Sequence, residues 1–477
     1  MRENKYHITL IIGLLCCHLL AAQPSVGEAR PLVDSIASSS PSFTIGTITI
    51  IGNKKTKSVV ILREIPFHPG EQYELKELVN KFEIARRQLT NTSLFNRVIV
   101  AAKNFDGNKV DVVVDVKERW YLFPVPVLQP VDRNLNQWLV EQKASLSRVN
   151  YGAKILYNNA TGWNDKLRLW LIGGYTKQIS FNYDRLYIDK KLKWGMNMGF
   201  AVGKNREVTY NTINDKQVFF KDNDNYLRKF INSNIELTYR RAIKTRHRFG
   251  LRYNMEEVKD TITKLNPSYF DPGVKRIEFA GIYYAMSYFD LDFIPYPTKG
   301  YAAEVNVGKN GFNSRYNVWS LAIKSSGYWP LSPKTFIGVN LYAGIKVPFK
   351  QPYFNKRFLG YGDSYMQGYE YYIVDGVAGG YVKTTLSREL FNFQVKAPAR
   401  KGKESYTVPF RIFAKTYGNA GYVHDPEPGN NRLSNRMLYS GGFGIDIVTF
   451  YDLTFKLEYS FNQLGQNGLF LHRNSIF

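Results

Sequence analysis

Strict two-residue alternation is what most limits the folds open to this chain. In Leu453-Thr454-Phe455-Lys456-Leu457-Glu458-Tyr459-Ser460-Phe461-Asn462 every odd residue is apolar and every even one polar. Ile235, Leu237 and Tyr239 alternate likewise with Asn234, Glu236 and Thr238, and Phe249, Leu251, Tyr253 and Met255 with Gly250, Arg252 and Asn254. A period of two marks strands, because successive side chains leave opposite faces. One apolar and one polar face is what a wall with lipid outside and water inside demands. The mean hydropathy of −0.32 does not count against such a wall, because alternating residues cancel in any running average. Its 34 Tyr, 31 Phe and 37 Gly suit the same class.

Read this way, 148–477 is a barrel of sixteen antiparallel strands. They are expected at 148–157, 165–174, 178–188, 193–203, 206–220, 228–240, 246–256, 275–288, 300–308, 316–328, 335–346, 379–390, 406–416, 438–449, 452–462 and 467–477. If the N-terminus enters from the periplasm, the long connections 257–274, 347–378 and 417–437 fall on the outer side. The tight turns near Tyr175, Asn205 and Tyr451 fall on the inner side, as does the longer 391–405.

The start of the chain gives a destination. Arg2 and Lys5 precede an apolar run from Ile8 to Leu20 that exits through Ala21-Ala22-Gln23. This is the pattern of a secretory signal peptide, 1–22, and the run is shorter than the roughly 20 residues a spanning helix needs. Cys16 and Cys17, the only cysteines, leave with it, so disulfides have no part in the remainder. Residues 23–41 are rich in Ser, Ala and Pro, without periodicity, and read as a linker. Formal charge is +24, with Lys and Arg spread along the chain. An exported barrel meets no nucleic acid routinely, so the charge fits phosphorylated outer-leaflet glycolipid or a positive lumen better.

Residues 42–119 form a small α+β domain. Phe43 to Ile50 alternates up to the Gly52-Asn53 turn, Ser58 to Ile65 is a short helix stopped by Pro66, and Leu75, Leu78, Val79, Phe82, Ala85 and Leu89 share one helix face. Phe95 to Ala101 and Lys109 to Val116 follow as strands around Asp106-Gly107-Asn108. Residues 120–147, with Phe123-Pro124-Val125-Pro126, read as an adaptor into the barrel.

With Ile51-Gly52-Asn53, Pro69-Gly70, Arg87-Gln88-Leu89, Leu94-Phe95-Asn96-Arg97-Val98 and Glu118-Arg119, the small domain resembles a POTRA domain. Phe358-Leu359-Gly360, Met366-Gln367-Gly368-Tyr369 and Gly379-Gly380 resemble the long sixth loop of the BamA/TamA-like outer-membrane superfamily. Tyr296-Pro297-Thr298-Lys299-Gly300, Tyr417-Gly418-Asn419-Ala420-Gly421 after the thirteenth strand, and Gly442-Phe443-Gly444-Ile445-Asp446 resemble it too.

The resemblance implies a mainly β protein, a sixteen-stranded antiparallel transmembrane barrel preceded by one POTRA domain, in the bacterial outer membrane with that domain in the periplasm. It implies work on unfolded outer-membrane or secreted polypeptides, with the bilayer, lipopolysaccharide and possible periplasmic accessory proteins as further partners. The client would be received by strand addition at Phe95, Val98, Ile99 and Val100 and templated at the barrel seam. The alternatives are a two-partner-type secretion translocator and a passive channel or surface antigen. In the family the loop tetrad carries an arginine that pairs with lumenal acids; here Gln367 stands in its place, and Asp446, inward by the parity of Phe443, Ile445 and Ile447, is the expected partner. Phe477 resembles the terminal aromatic of a barrel insertion signal. There is no nucleophile elbow, zinc-protease helix or phosphate loop, and the six histidines lack metal spacing, so neither enzyme activity nor a metal or other cofactor is expected.

Overall fold

The computed structural model describes residues 42–131, 137–222, 224–313, 316–362, 364–396 and 407–474. The signal-peptide and linker readings and Phe477 lie outside them.

The N-terminal domain runs β1 (Ser42–Ile51), α1 (Ser58–Leu62), β2 (Gln72–Glu74), α2 (Leu75–Asn91), β3 (Phe95–Asp106) and β4 (Lys109–Glu118). Its sheet order is β2-β1-β4-β3, with β1 and β4 parallel and β4 and β3 antiparallel. Strand β4 alternates Val110, Val112, Val114 and Val116 inward, where they meet Leu78, Ala85 and Leu89 of α2. The apolar stripe of α2 is broader than that contact: Leu75 and Val79 remain 52% and 59% exposed.

The barrel wall is one sheet of sixteen antiparallel strands. In order they are β5 (Leu122–Pro130), β6 (Val149–Asn158), β7 (Lys166–Gly174), β8 (Thr176–Tyr187), β9 (Trp194–Asn205), β12 (Arg228–Tyr239), β13 (Thr245–Val258), β14 (Arg276–Leu291), β15 (Gly300–Asn310), β16 (Val318–Ser332), β17 (Thr335–Val347), β20 (Ala378–Lys396), β21 (Thr407–His424), β22 (Met437–Thr449), β23 (Leu453–Asn462) and β24 (Asn467–Asn474). Between them stand a hairpin, β10 (Glu207–Ile213) and β11 (Lys216–Lys221), the short helix α3 (Asp260–Leu265), and a small pair, β18 (Arg357–Leu359) and β19 (Val374–Asp375).

The count of sixteen agrees with the sequence reading, but its membership does not. Residues 122–130, read as adaptor, are the first strand, paired to β6 from Leu122↔Tyr157 to Pro130↔Val149. Residues 206–220, read as the fifth strand, form the hairpin β10–β11, and β9 pairs directly with β12 from Asn205↔Arg228 onward. Tyr417 to Gly421 lies within β21, not after it. The apolar residues of the alternating segments point out of the wall, where Leu251, Phe249, Leu457 and Phe461 are exposed, as lipid contact requires.

The small domain packs on one end of the barrel and fixes which turns lie there. Lys57 N–H donates to Gly162 O at 3.0 Å, Leu192 is buried in the domain's own core, and Asn91 Nδ2 donates to Leu291 O at 3.1 Å. The β6–β7, β8–β9 and β14–β15 turns therefore face the domain. Tyr175, between β7 and β8, and Asn205, at the end of β9, belong to the opposite rim, which corrects the parity expected for them. A hydrogen-bonded wall of sixteen strands predicts that unboiled protein migrates faster than boiled protein on a denaturing gel; identical mobility would contradict the barrel.

Candidate functional site

Three features converge on function: a free strand edge, a loop folded into the lumen, and a seam. The first is β3, outermost in its sheet, with no strand on its far side among the described residues. Phe95 is buried in the core and Val98 and Val100 pack against it, whereas Ile99 points away and is 44% exposed. The edge is held to the barrel through nearby contacts. Arg119 Nε donates to Phe95 O at 2.9 Å, and Arg119 Nη1 donates to Asp452 Oδ2 in the β22–β23 turn at 2.7 Å.

The deepest link between domain and barrel is Glu64 with Arg240, next to the β12–β13 turn. Arg240 Nη1 and Nη2 donate to Glu64 Oε1 and Oε2 at 2.6 and 2.8 Å, a two-pronged pair buried on both sides. Arg63 Nη2 also donates to Arg240 O at 3.0 Å. Burial pushes the Glu64 carboxyl up, but the Arg240 charge and hydrogen bonds outweigh it, and the net is a value below the ordinary one.

The connection 348–377 folds back inside the barrel. Phe358, Leu359, Met366, Tyr369 and Val374 form a buried cluster with Val423, Leu433 and Leu438 of the wall and rim. Gly368 adopts φ +87°, and an added Cβ would lie 3.0 Å from both Phe461 O and Ser440 Cβ, so glycine is required both for the turn and for the close approach. Asn462 Nδ2 donates to Gly368 O at 2.7 Å, and Tyr369 Oη donates to Tyr439 O at 3.0 Å.

Beneath the loop tip lies a buried network. Lys415 Nζ sits 2.5 Å from both Asp446 Oδ1 and Glu458 Oε1. Tyr296 Oη donates to Asp446 Oδ2 at 2.9 Å. Gln367 Nε2 reaches Glu458 Oε1 at 3.4 Å, so the loop glutamine meets Glu458, not the expected Asp446, which is already held by Lys415 and Tyr296. His472 of β24 lies 3.2 Å from Glu370 Oε1 and 3.3 Å from Glu458 Oε2, with the Tyr365 ring stacked on it at 4.7 Å. Sequence reasoning missed Lys415, Glu370 and the bridging place of His472. Parity alone puts Glu458 inward with Lys456 and Ser460 and could have found it. Lys383, Lys415 and Lys456 all face the lumen here, which localises part of the chain's positive charge.

The third feature is the boundary between the first and last strands. The sheet begins at β5 and ends at β24, and no ladder joins those two among the described residues.

Residues 43–119 match the POTRA family, described as a surface antigen variable number repeat. Residues 159–465, well over half of the chain, match the Omp85 superfamily domain. The chain belongs to the Omp85 superfamily. It is thus an outer-membrane β-barrel protein with one POTRA domain. Among solved structures it is similar to BamA from Haemophilus ducreyi lacking POTRA domains 1–3, at 16% identity and TM-score 0.47, covering 91% of this chain and 84% of that one. It is also similar to CdiB from Escherichia coli, at 9% identity and TM-score 0.47, covering 98% and 96%. No curated protein matches it. The two matched stretches follow one another along the chain in the order of the small domain and the wall.

Proposed function

We propose that this Omp85 protein inserts or translocates polypeptides: its POTRA domain, in the periplasm, takes an extended client on the β3 edge and hands it to the bilayer at the β5–β24 seam. The observation that carries this reading is the presence in one molecule of two strand edges to which no strand is paired among the described residues, β3 on the docked domain and the β5–β24 boundary in the wall. A strand edge presents a row of N–H and C=O groups that an extended chain can pair with, and natural proteins ordinarily cover or blunt such edges. The loop cluster and the Lys415 network occupy part of the lumen, which favours this reading over a passive channel.

The test is depletion of the protein followed by profiling of the outer-membrane and secreted proteomes. Loss of a defined set of proteins is expected, and an unchanged proteome would refute the reading. Ile99→Lys should reproduce that loss with the barrel still inserted. Ile99 is half-exposed, so the fold tolerates the change, while a lysine is the usual device that blocks pairing at an edge. Full activity of this variant would remove β3 from the proposal.

A further inference from the structure

The outward face of the wall carries a row of like charges. Lys177 of β8 pairs across the ladder with Lys204 of β9, and Lys204 with Lys229 of β12, so three lysines stand side by side on adjacent strands. Parity puts them on the same face as the exposed Ile179, Val202 and Ile235. Among the described residues no other three adjacent wall strands align three cations. Like charges directly opposite one another destabilise a sheet, so the row is unfavourable unless an anion covers it. Arg206 and Tyr226 lie against it: Lys204 Nζ is 4.1 Å, Arg206 Cζ 5.2 Å and Lys177 Nζ 5.8 Å from the centre of the Tyr226 ring. A ring face holds cations in place without neutralising them. Lys177, Lys204 and Arg206 have no carboxylate partner among the described residues, and only Lys229 has one, the partly exposed Glu257 at 3.7 Å. Asp222, in the adjoining loop, accepts the main-chain N–H groups of Asp224 and Asn225 instead.

On the same strands and the same face lies an open groove of about 360 Å³, lined by Phe181, Phe200, Ser233, Ile235, Leu251 and Tyr253. Ser233 is its cause. It faces lipid by the parity of Ile235 and Leu237, and it stands opposite Phe200 on one side and Tyr253 on the other. A short side chain between two rings leaves a notch. Lys229 and Ser233 are four residues apart, about 13 Å along the strand. The step between them is apolar, filled by Ile179, Val202 and Ile231. The apolar band of such a wall is roughly 25 Å tall and its strands are tilted, so the groove falls in the half of the band next to the lysines. The β8–β9 turn lies against the small domain, and Lys177 is at the other end of β8, so row and groove belong to the rim away from that domain.

We infer that Lys177, Lys204, Lys229 and Arg206, with the groove at Ser233, form a binding site for one phosphorylated, acylated lipid of the outer leaflet. Its phosphate groups cover the cationic row, and one acyl chain lies in the notch. Charge complementarity selects the head: phosphate supplies the anion that the ladder partners lack, and it accepts the charge-assisted hydrogen bonds that three ammonium groups and a guanidinium offer. The groove selects a lipid over free phosphate, because row and notch lie on one lipid-facing surface at the spacing of a headgroup and its chain. The inference rests on the reading that puts the POTRA domain in the periplasm, which sets the opposite rim at the outer leaflet.

The experiment titrates the full-length protein in detergent micelles with lipid A bearing two phosphates, and counts bound lipid by native mass spectrometry. Tight binding of one lipid is expected, with dephosphorylated lipid A binding more weakly. Lys177→Gln, Lys204→Gln and Lys229→Gln together should weaken the phosphorylated lipid by about tenfold or more. Lys204→Gln alone, at the centre of the row, takes its place if the triple variant loses the heat-dependent gel shift. Ser233→Phe keeps every charge and fills the notch, and should weaken binding by about fivefold. Equal binding of the two lipids, or lysine variants that bind as the unaltered protein does, would overturn the site. Full affinity in Ser233→Phe would overturn the place of the chain, and displacement of the lipid by equimolar inorganic phosphate would make this a site for the free anion. Failure of the periplasmic reading gives a separate result: protease added to intact cells would then cut the POTRA domain, whatever the purified protein binds.

Discussion

Glu64→Ala is expected to loosen the POTRA domain from the barrel while leaving both folded. The Glu64–Arg240 pair is buried, two-pronged, and joins the domain to the β12–β13 side of the barrel. Removing one partner of such a pair leaves the other charge buried without its counter-ion, which costs about 3–5 kcal/mol. Two main-chain contacts from Arg240 to Ile243 O, at 3.2 and 2.7 Å, offset part of that cost. The remainder shifts the docked-to-undocked ratio by roughly two orders of magnitude. Hydrogen exchange at the β8–β9 turn around Leu192 reads this directly, because Leu192 is buried only while the domain is seated. The same pair gives docking a pH dependence of definite sign. The Glu64 carboxyl is held below its ordinary value in the folded protein, so its contribution is complete above the unfolded value of about 4.3 and is lost as pH falls through the lower folded one. Glu64→Gln should flatten that acid-side loss. Exchange at Leu192 that is unchanged by Glu64→Ala would show that the apolar contacts alone seat the domain.

How far this architecture could be read in advance depended on whether a signal was local. Alternation over ten residues, as in Leu453 to Asn462, fixes a strand and its outward face with no knowledge of its neighbours. The first strand escaped for a physical reason: Phe123-Pro124-Val125-Pro126 looks unfit for a ladder, and only the hydrogen bonds flanking β5 reveal that its proline nitrogens point where no ladder is needed. The hairpin β10–β11 reads in sequence as part of the wall because a free-standing hairpin and a wall strand share the same local pattern. One strand missed before β6 and one added after β9 left the wall at sixteen, but inverted the orientation of everything between them. That is why sequence parity puts Tyr175 and Asn205 at the wrong rim and the later loops at the right one. The lumenal network was beyond such reasoning. Parity says that Lys415, Asp446 and Glu458 face inward, but not that three strands in this register bring them to one point. His472 belonged to a stretch whose consecutive polar residues obscure alternation, although the fold seats it between Glu370 and Glu458.

Lys415→Met should release the lumenal loop and is the most damaging single change expected inside the barrel. Lys415 is nearly inaccessible and supplies the cation shared by Asp446 and Glu458. Without it two buried carboxylates face one another, with Tyr296 on one, His472 and Gln367 on the other, and Lys456, opposite Asp446 in the ladder, as the nearby cation that remains. Breaking a buried ion pair in this way costs about 3–5 kcal/mol, which lowers the unfolding temperature by something on the order of 10 °C. The loop feels the loss because its tip rests on the same acid: Gln367 approaches Glu458, and Glu370 approaches His472 next to it. Protease should therefore cut 348–377 faster in the variant. Two further substitutions separate charge from packing. Asp446→Asn with Glu458→Gln in the Lys415→Met background removes the two carboxylates that would face one another and should recover part of the stability, the remainder being withheld because Lys456, opposite position 446, loses its neighbouring acids. Gln367→Arg in that same background returns a cation to Glu458 from the loop side, and its fork suits a carboxylate better than an amide does. It should restore the loop's resistance to protease. In the otherwise unaltered protein Gln367→Arg should change little, because Lys415 already holds Glu458 at 2.5 Å. If Lys415→Met leaves loop cleavage and unfolding temperature as they were, the loop is held by the Phe358, Met366 and Tyr369 cluster, and the buried charges have no part in seating it.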